Sequence, residues 1–471
     1  MLNDMLQCAA INTCGCCRPG NESSSLKTTD ELAGWSSYGS GDFGTWGSDE
    51  FGLPRYTINN GSAVGDISKA NGGFLHQFGN DRMILAAMTD GSVAMRQDEG
   101  GAKFLNSRDG KHGQYGGAVG FLSEGDKLLL HTLDDGSGDG ELQLGVGYFR
   151  KRLHNDAAML SVEHSVVAPH GDHSFAVIVV NVTNNSPRAR SLKYVESWGR
   201  LMHEFHTPGR WAQSVKEKHV TATDFALAVT HRVHSVDGAP GLFDTVVPPT
   251  GGPAEPPPGS DFPAASEHDY NPRPAFLRVI DGGHPPTRMG CNATALFPDG
   301  PSKPDLTNGL TCELGKAIGS ETLLALELEI EVAPLSSTVR YFAFGYVAPG
   351  RTESSALPAD FVGKDAAAAV WRASSETWRT NSITLSIPEV GDWLERETLW
   401  HSHMLRGALT YDSYWDGYTL DQNGGYMYGS GDNDAVARDP LNHALPLLYL
   451  APQATRGGIR MVSSTPCLPP N

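Results

Sequence analysis

The stretch ETLLALELEIEVAPLSSTVRYFAFGYV, residues 321–347, decides the fold class. Leu324, Leu326, Leu328, Ile330 and Val332 fall on one side of an extended chain, and Glu327, Glu329 and Glu331 on the other. A period of two marks a strand with one wet face. Tyr341–Val347 follows as a second strand across a serine-containing turn. Upstream, Ser174–Thr183 (SFAVIVVNVT) is almost continuously apolar and reads as a strand buried on both faces. From about Gly34 to Gly350 such strands and turns repeat without interleaved helices, which predicts a large antiparallel sandwich. One interruption, Val247 to Pro274, is rich in Pro and Gly and reads as an inserted surface loop.

After Pro358 the period changes. Asp360–Thr380 is alanine-rich, with Trp371 and Trp378 seven residues apart on one helical face. A short stretch, Asn381–Val390, leads to a helix starting near Asp392, in which Trp393, Glu397, Trp400 and Met404 form a stripe. Residues 1–30 read as an irregular leader, 31–350 as the sandwich, 358–390 as a helical linker, 391–460 as the first helices of a second domain, and 461–471 as an irregular tail. With few partners in so short a helical region, the stripe is expected to remain an exposed apolar patch that promotes self-association.

The 471 residues carry a net charge of −18. Nucleic acid and anionic membranes, which need concentrated Lys and Arg, are disfavoured as partners, whereas a neutral sugar is compatible. No apolar run approaches the roughly 20 residues of a membrane span. No basic and apolar leader is visible, so a cytoplasmic location is expected, with the sequons at Asn21, Asn60, Asn181, Asn184 and Asn292 unused. Cys8, Cys14, Cys16 and Cys17 crowd the N-terminus without a second metal-ligand pair, and Cys291, Cys312 and Cys467 are scattered; no metal and no cofactor is expected.

Several motifs have mundane readings. Gly39–Gly44 fits a dinucleotide fingerprint in letters but lacks its flanking strand and helix. His401 and His403, two apart on a helix, point to different sides. Asp42, Asp49 and Glu50 sit among Trp35, Tyr38, Phe43 and Trp46, where they either face a sugar or cap turns. The strongest local signal is Leu420–Asp439. Asp421, Gln422, Asn423, Tyr426 and Tyr428 lie on a glycine-rich loop, followed by Arg438-Asp439. Carboxylate, guanidinium and aromatic faces suit a sugar. Asp439 before Pro440 is equally a helix N-cap with proline at the first helical position.

Four passages resemble one family. They are GWSSYGSGDFGTWGSDEFGLPRY (34–56), HQFGNDR with RQDEGGAKFLN (76–106), GVGYFRK with VNVTNNS and YVESWG (145–199), and the block from Trp393 to Tyr449. In this order they are similar to the phosphorylases of glycoside hydrolase family 94, particularly the branch that includes the phosphorylase-like region of cyclic β-1,2-glucan synthases. The resemblance covers roughly residues 34–450. It implies a galactose-mutarotase-like supersandwich, a helical linker and the start of an (α/α)6 barrel.

The activity it implies is inverting transfer of a terminal β-linked glucose to phosphate, giving glucose 1-phosphate. Inorganic phosphate would be co-substrate, a β-linked gluco-oligosaccharide the partner, and a homodimer a common assembly. Arg438 and Asp439 match the pair that holds the transferred glucose, with Gln422 and Tyr426 in the adjoining loop. The family's general acid and phosphate-binding residues lie further downstream, so no catalytic residue is assigned here; Asp416 beside Trp415 imitates the acid only locally. The chain accordingly reads as a C-terminally truncated form, inactive alone. The alternatives are a non-catalytic sandwich for carbohydrate binding or assembly, and a hydrolase or transglycosylase of β-glucans on the same scaffold.

Overall fold

The structure, a computed structural model, describes residues 44–59, 75–88, 90–97, 99, 103–106, 108–109, 114–133, 140–200, 203–204, 230–247, 273–282, 285–319, 321–412, 417–420 and 445–464. The expected leader and nearly all of the Pro-rich insertion lie outside these residues.

A mainly β sandwich is built from one broad sheet facing two smaller ones. The broad sheet has eleven strands. From edge to edge they are Thr45–Ser48, Pro54–Asn59, Gly140–Gly145, Tyr148–Asn155, Leu160–Val167, Phe175–Asn184, Ser336–Tyr346, Ala275–Val279, Ala239–Val247, Thr230–Val236 and Ala317–Ile318. Opposite it lies a five-stranded sheet, termed the Trp198 sheet: Lys127–His131, Val119–Glu124, Arg190–Gly199, Thr322–Val332 and Arg288–Asn292. The other, termed the Met95 sheet, also has five: His203–Glu204, Lys103–Phe104, Val93–Gln97, Ile84–Met88 and Leu75–Gly79.

One core joins the three sheets, with Phe78, Met95, Trp198, Leu326, Phe342 and Phe344 all buried in it. Trp198 stacks on Phe344 at 4.0 Å between ring centroids. Aromatic and branched apolar side chains on alternate positions supply most of this burial.

The deciding stretch behaves as its period requires, with one correction. Leu324, Leu326, Leu328, Ile330 and Val332 enter the core. Glu329 and Glu331 are exposed, but Glu327 is buried at 3% exposure. Glu327 accepts from the Thr287 hydroxyl at 3.1 Å and lies 3.7 Å from Arg288, on a face that is also covered. Leu323 and Ala325 pack with Ala293, Leu296, Phe297 and Leu310 of an excursion that includes a short helix, α1 (Ala293–Leu296). A disulfide, Cys291–Cys312, closes that excursion; the scattered spacing of these cysteines carries no sign of it. The strand Ser336–Tyr346 does not pair with its sequence neighbour but crosses to the broad sheet, between Phe175–Asn184 and Ala275–Val279. In Phe175–Asn184 only the first half is buried on both faces, and from Val179 burial alternates.

The outer face of the broad sheet is covered by α2 (Lys364–Asn381), with Phe175, Phe243, Phe276, Ala343, Ala367 and Val370 in one cluster. Trp371 and Trp378 share a face as the spacing predicts, and both meet the sandwich: Trp371 tilts on Tyr148 and Trp378 enters the main core.

The helical region that follows contains α3 (Asp392–Arg406), α4 (Leu447–Leu450) and α5 (Pro452–Ser464). The α5 helix continues past residue 460, so the expected tail is shorter. A hairpin, Leu409–Asp412 with Gly417–Leu420, stands where only helix and loop were expected. Its Thr410, Tyr411, Tyr418 and Thr419 are residues of high strand propensity that a helical reading passes over.

Candidate functional site

The polar candidates sit where α3 and the hairpin meet the sandwich. The floor of this junction is aromatic. Trp400 of α3 is 3% exposed. It lies edge-on to Trp46 at 5.1 Å and stacks on His76 at 5.5 Å. Met404 packs against the same core. The Trp393–Met404 stripe is therefore not the exposed patch expected from the sequence, because the sandwich itself supplies its partners. Exposed apolar side chains occur instead on Leu445, Leu448, Tyr449 and Ile459.

Three histidines line this floor. The Nε2 of His403 accepts from the backbone N–H of Gly147 at 2.8 Å, and the His76 Nε2 lies 3.1 Å from the Gly145 carbonyl. His170 meets Trp378 edge-on. Burial pushes His76 down to about 4, although the Gly145 and Tyr148 carbonyls oppose it. Burial, helped by the charge of Arg406, also brings His170 to about 4. Burial holds His403 well below its ordinary value. All three are neutral near pH 7, which suits packing against indoles. Among the described residues no cluster of His, Cys, Asp or Glu has metal-ligand geometry. His401, on another side of α3, lies 3.6 Å from Glu397.

The rim is ionic. Asn80 caps a tight turn, accepting from the N–H groups of Arg82 at 2.9 Å and Met83 at 3.0 Å. That turn aims Asp81 and Arg82 in different directions. Asp81 receives both Nε and Nη2 of Arg406, from the last turn of α3, at 2.7 and 2.9 Å. Arg82 donates to Glu99 at 2.6 Å and, through Nε and Nη2, to Asp172. Its guanidinium also lies 4.6 Å from the centre of the Tyr411 ring in the hairpin. Close approach of the two parts needs Gly79, where an added Cβ would stand 2.5 Å from the Gly407 carbonyl oxygen.

The electrostatics follow from these contacts. Burial raises the Asp172 carboxyl, but hydrogen bonds from Arg82 and Tyr418 and the Arg82 charge bring it below the usual range. Burial and Asp172 together raise the Tyr418 hydroxyl. Arg82 and Arg406 are thus committed to carboxylates, and the cluster clamps the hairpin and α3 onto the sandwich. Asp172, 44% exposed on its side chain, is the acidic group of the rim that faces solvent.

Gln422, Tyr426, Arg438 and Asp439 lie outside the described residues. The residues flanking that block do not: Leu420 and Leu447 share a buried cluster with Leu409, Leu450 and Ala454, beside the rim. Asp42 also lies outside. Asp49 takes the turn-capping role, its Oδ1 accepting from Phe51 and Leu53 N–H groups, each at 2.9 Å. Burial, only partly offset by those bonds, raises its carboxyl. Glu50 pairs with buried Arg150.

The sequence reading assigned no role to Asp81, Arg82, Asp172, Tyr411, Tyr418 or Arg406. HQFGNDR contains the first two, but nothing in its spacing announces a partner 325 residues away.

No protein-family model matches the chain, and no curated protein matches it. Solved structures do resemble it at low identity. A protein assigned as a kojibiose phosphorylase, from the human microbiome, shares 9% identity with a TM-score of 0.44. That match covers 80% of this chain and 44% of the other, so the chain spans less than half of that protein's length. A GalM/aldose epimerase homologue from C. elegans shares 10% identity over 58% of this chain and 98% of its own, with a TM-score of 0.28. A galactose mutarotase related enzyme from Lactobacillus acidophilus shares 7% over 59% and 100%, with a TM-score of 0.26. The neighbours are phosphorylase and mutarotase-like structures; likenesses this distant carry no argument about activity.

Proposed function

We propose that the chain is a carbohydrate-active protein of the inverting β-glucoside phosphorylase type. It binds a β-linked gluco-oligosaccharide beside the junction, with Arg438 and Asp439 holding the terminal glucose and Gln422 and Tyr426 adjoining. One observation carries this reading. The four passages that resemble family 94 phosphorylases, far apart in sequence, converge at the junction. Trp46 comes from the first, His76, Arg82 and Glu99 from the second, Gly145 and Gly147 from the third, and Trp400 and His403 from the last.

A rigid junction has a chemical use. Sugar hydroxyls are selected by paired donors and acceptors fixed in advance, and a loop achieves this only when its two ends are held. The clamp and the shared apolar cluster hold residues 420 and 447. No residue of the chain matches the family's acid, so binding rather than turnover is the activity expected of it.

Calorimetric titration of β-1,2-, β-1,3- and β-1,4-linked gluco-oligosaccharides into the protein tests the reading. One linkage should bind, and Arg438→Ala or Asp439→Asn should weaken it about tenfold or more, the loss of roughly one charged hydrogen-bonded contact. Absence of binding to all three, or binding indifferent to both substitutions, would overturn it. With phosphate present, no glucose 1-phosphate should form.

A further inference from the structure

On the outer face of the broad sheet one charge stands apart. Arg278, in Ala275–Val279, is 3% exposed. Its register partners on that face are Gly241 and Ala343, and its neighbours along the strand are Phe276 and Ile280. Phe243 and Tyr341 stand diagonal to it. Among the described residues no carboxylate lies within ion-pair distance of its guanidinium, and its Nε has no hydrogen-bond partner. That Nε is also sealed from solvent. Burial alone lowers its pKa, with no partner to oppose it.

Two other buried arginines are treated differently. Arg150 meets Glu50, and Arg200 meets Asp244 at 2.8 Å. A buried cation without a counter-charge is costly, and proteins normally pair it. The strand opposite carries no side chain at this register: at Gly241 an added Cβ would stand 2.2 Å from the Leu277 carbonyl oxygen, 2.7 Å from the Arg278 Cα and 3.0 Å from its Cγ. Nearby, α2 begins without a side-chain cap, and its Gly363 N–H donates to the Ile280 carbonyl at 2.7 Å.

We propose that Arg278 is the centre of an anion-binding site for a small oxyanion, a phosphate or carboxylate group that takes the guanidinium through two oxygens. The apolar and glycine surroundings leave a planar fork with unused donors, which is the geometry that such groups match. The site shares no residue with the junction.

The test is thermal unfolding of the full chain in sodium chloride, inorganic phosphate or acetate at matched ionic strength. Wild type, Arg278→Met and Arg278→Lys are compared. The wild-type midpoint should rise by at least about 2 °C in phosphate or acetate relative to chloride. Arg278→Met should lose that increment while folding at least as stably in chloride, and Arg278→Lys should keep only part of it. A rise in phosphate alone assigns the site to phosphate, and in acetate alone to a carboxylate. No rise in either arm, or the same rise in Arg278→Met, would overturn the proposal.

Discussion

The junction and the outer face handle arginine in opposite ways. At the junction Arg82 and Arg406 spend their donors on Asp172, Glu99 and Asp81, and the polar atoms serve to fix one part of the chain on another. On the outer face Arg278 is more deeply buried and has no counter-charge among the described residues. Density of charge is thus a poor guide to a ligand. A saturated cluster is structural whatever its residue types, and an unsaturated buried group marks a vacancy in the protein's own pairing.

The largest effect is expected where the junction is apolar. Trp400→Ala removes an indole held between Trp46 and His76, and should cost about 3–5 kcal/mol by chemical denaturation. A cost under about 1 kcal/mol would mean that α3 is not seated on the sandwich.

Next come the histidines. Each is neutral in the fold and protonates in the unfolded chain below about pH 6.5. Unfolding therefore takes up protons between about pH 6.5 and the folded value of about 4 for His76 and His170. Their contribution is complete above that window and is lost as pH falls through it, by up to about 1.4 kcal/mol per pH unit for each buried ring. Denaturation midpoints measured from pH 7 to 4 should fall, and His76→Gln should flatten the slope. A pH-independent midpoint would remove the histidines from the account.

The Asp81–Arg406 pair should show a smaller coupling, about 1–2 kcal/mol in a double-mutant cycle, as expected for a two-bond contact that is mostly buried. Additive single substitutions would make it a passive contact. Smallest is Arg278→Met, which in chloride should stabilise the fold by up to about 1 kcal/mol, since it deletes an unpaired charge. If it destabilises instead, the contrast between the two regions collapses.

The sandwich was legible because its signal is local. Alternation in Glu321–Val332 fixes a strand and its buried face without knowledge of anything else. The same stretch shows the limit: Glu327 is buried beside Thr287 and Arg288, a meeting that no period reports. The pairing of Ser336–Tyr346 across to Phe175–Asn184 also depends on chain topology rather than on residue type. The junction was legible in parts only. The Trp393–Met404 stripe was visible, but its partner was taken to be absent helices when it is Trp46 and His76. Asp81 and Arg406 carry no mutual signal, as their meeting depends on the whole intervening sandwich. Arg438 and Asp439, singled out by the local pattern and matched by the resemblance, lie outside the described residues.

The location of sugar binding is therefore the point on which the account turns. Hydrogen–deuterium exchange of the full chain, with and without the gluco-oligosaccharide that binds best, tests it directly. Protection should rise in residues 409–447 and in the turn at Asn80–Met83, with the outer face around Arg278 unchanged. Protection confined to the outer face, or none at saturating sugar, would contradict a sugar site at the junction.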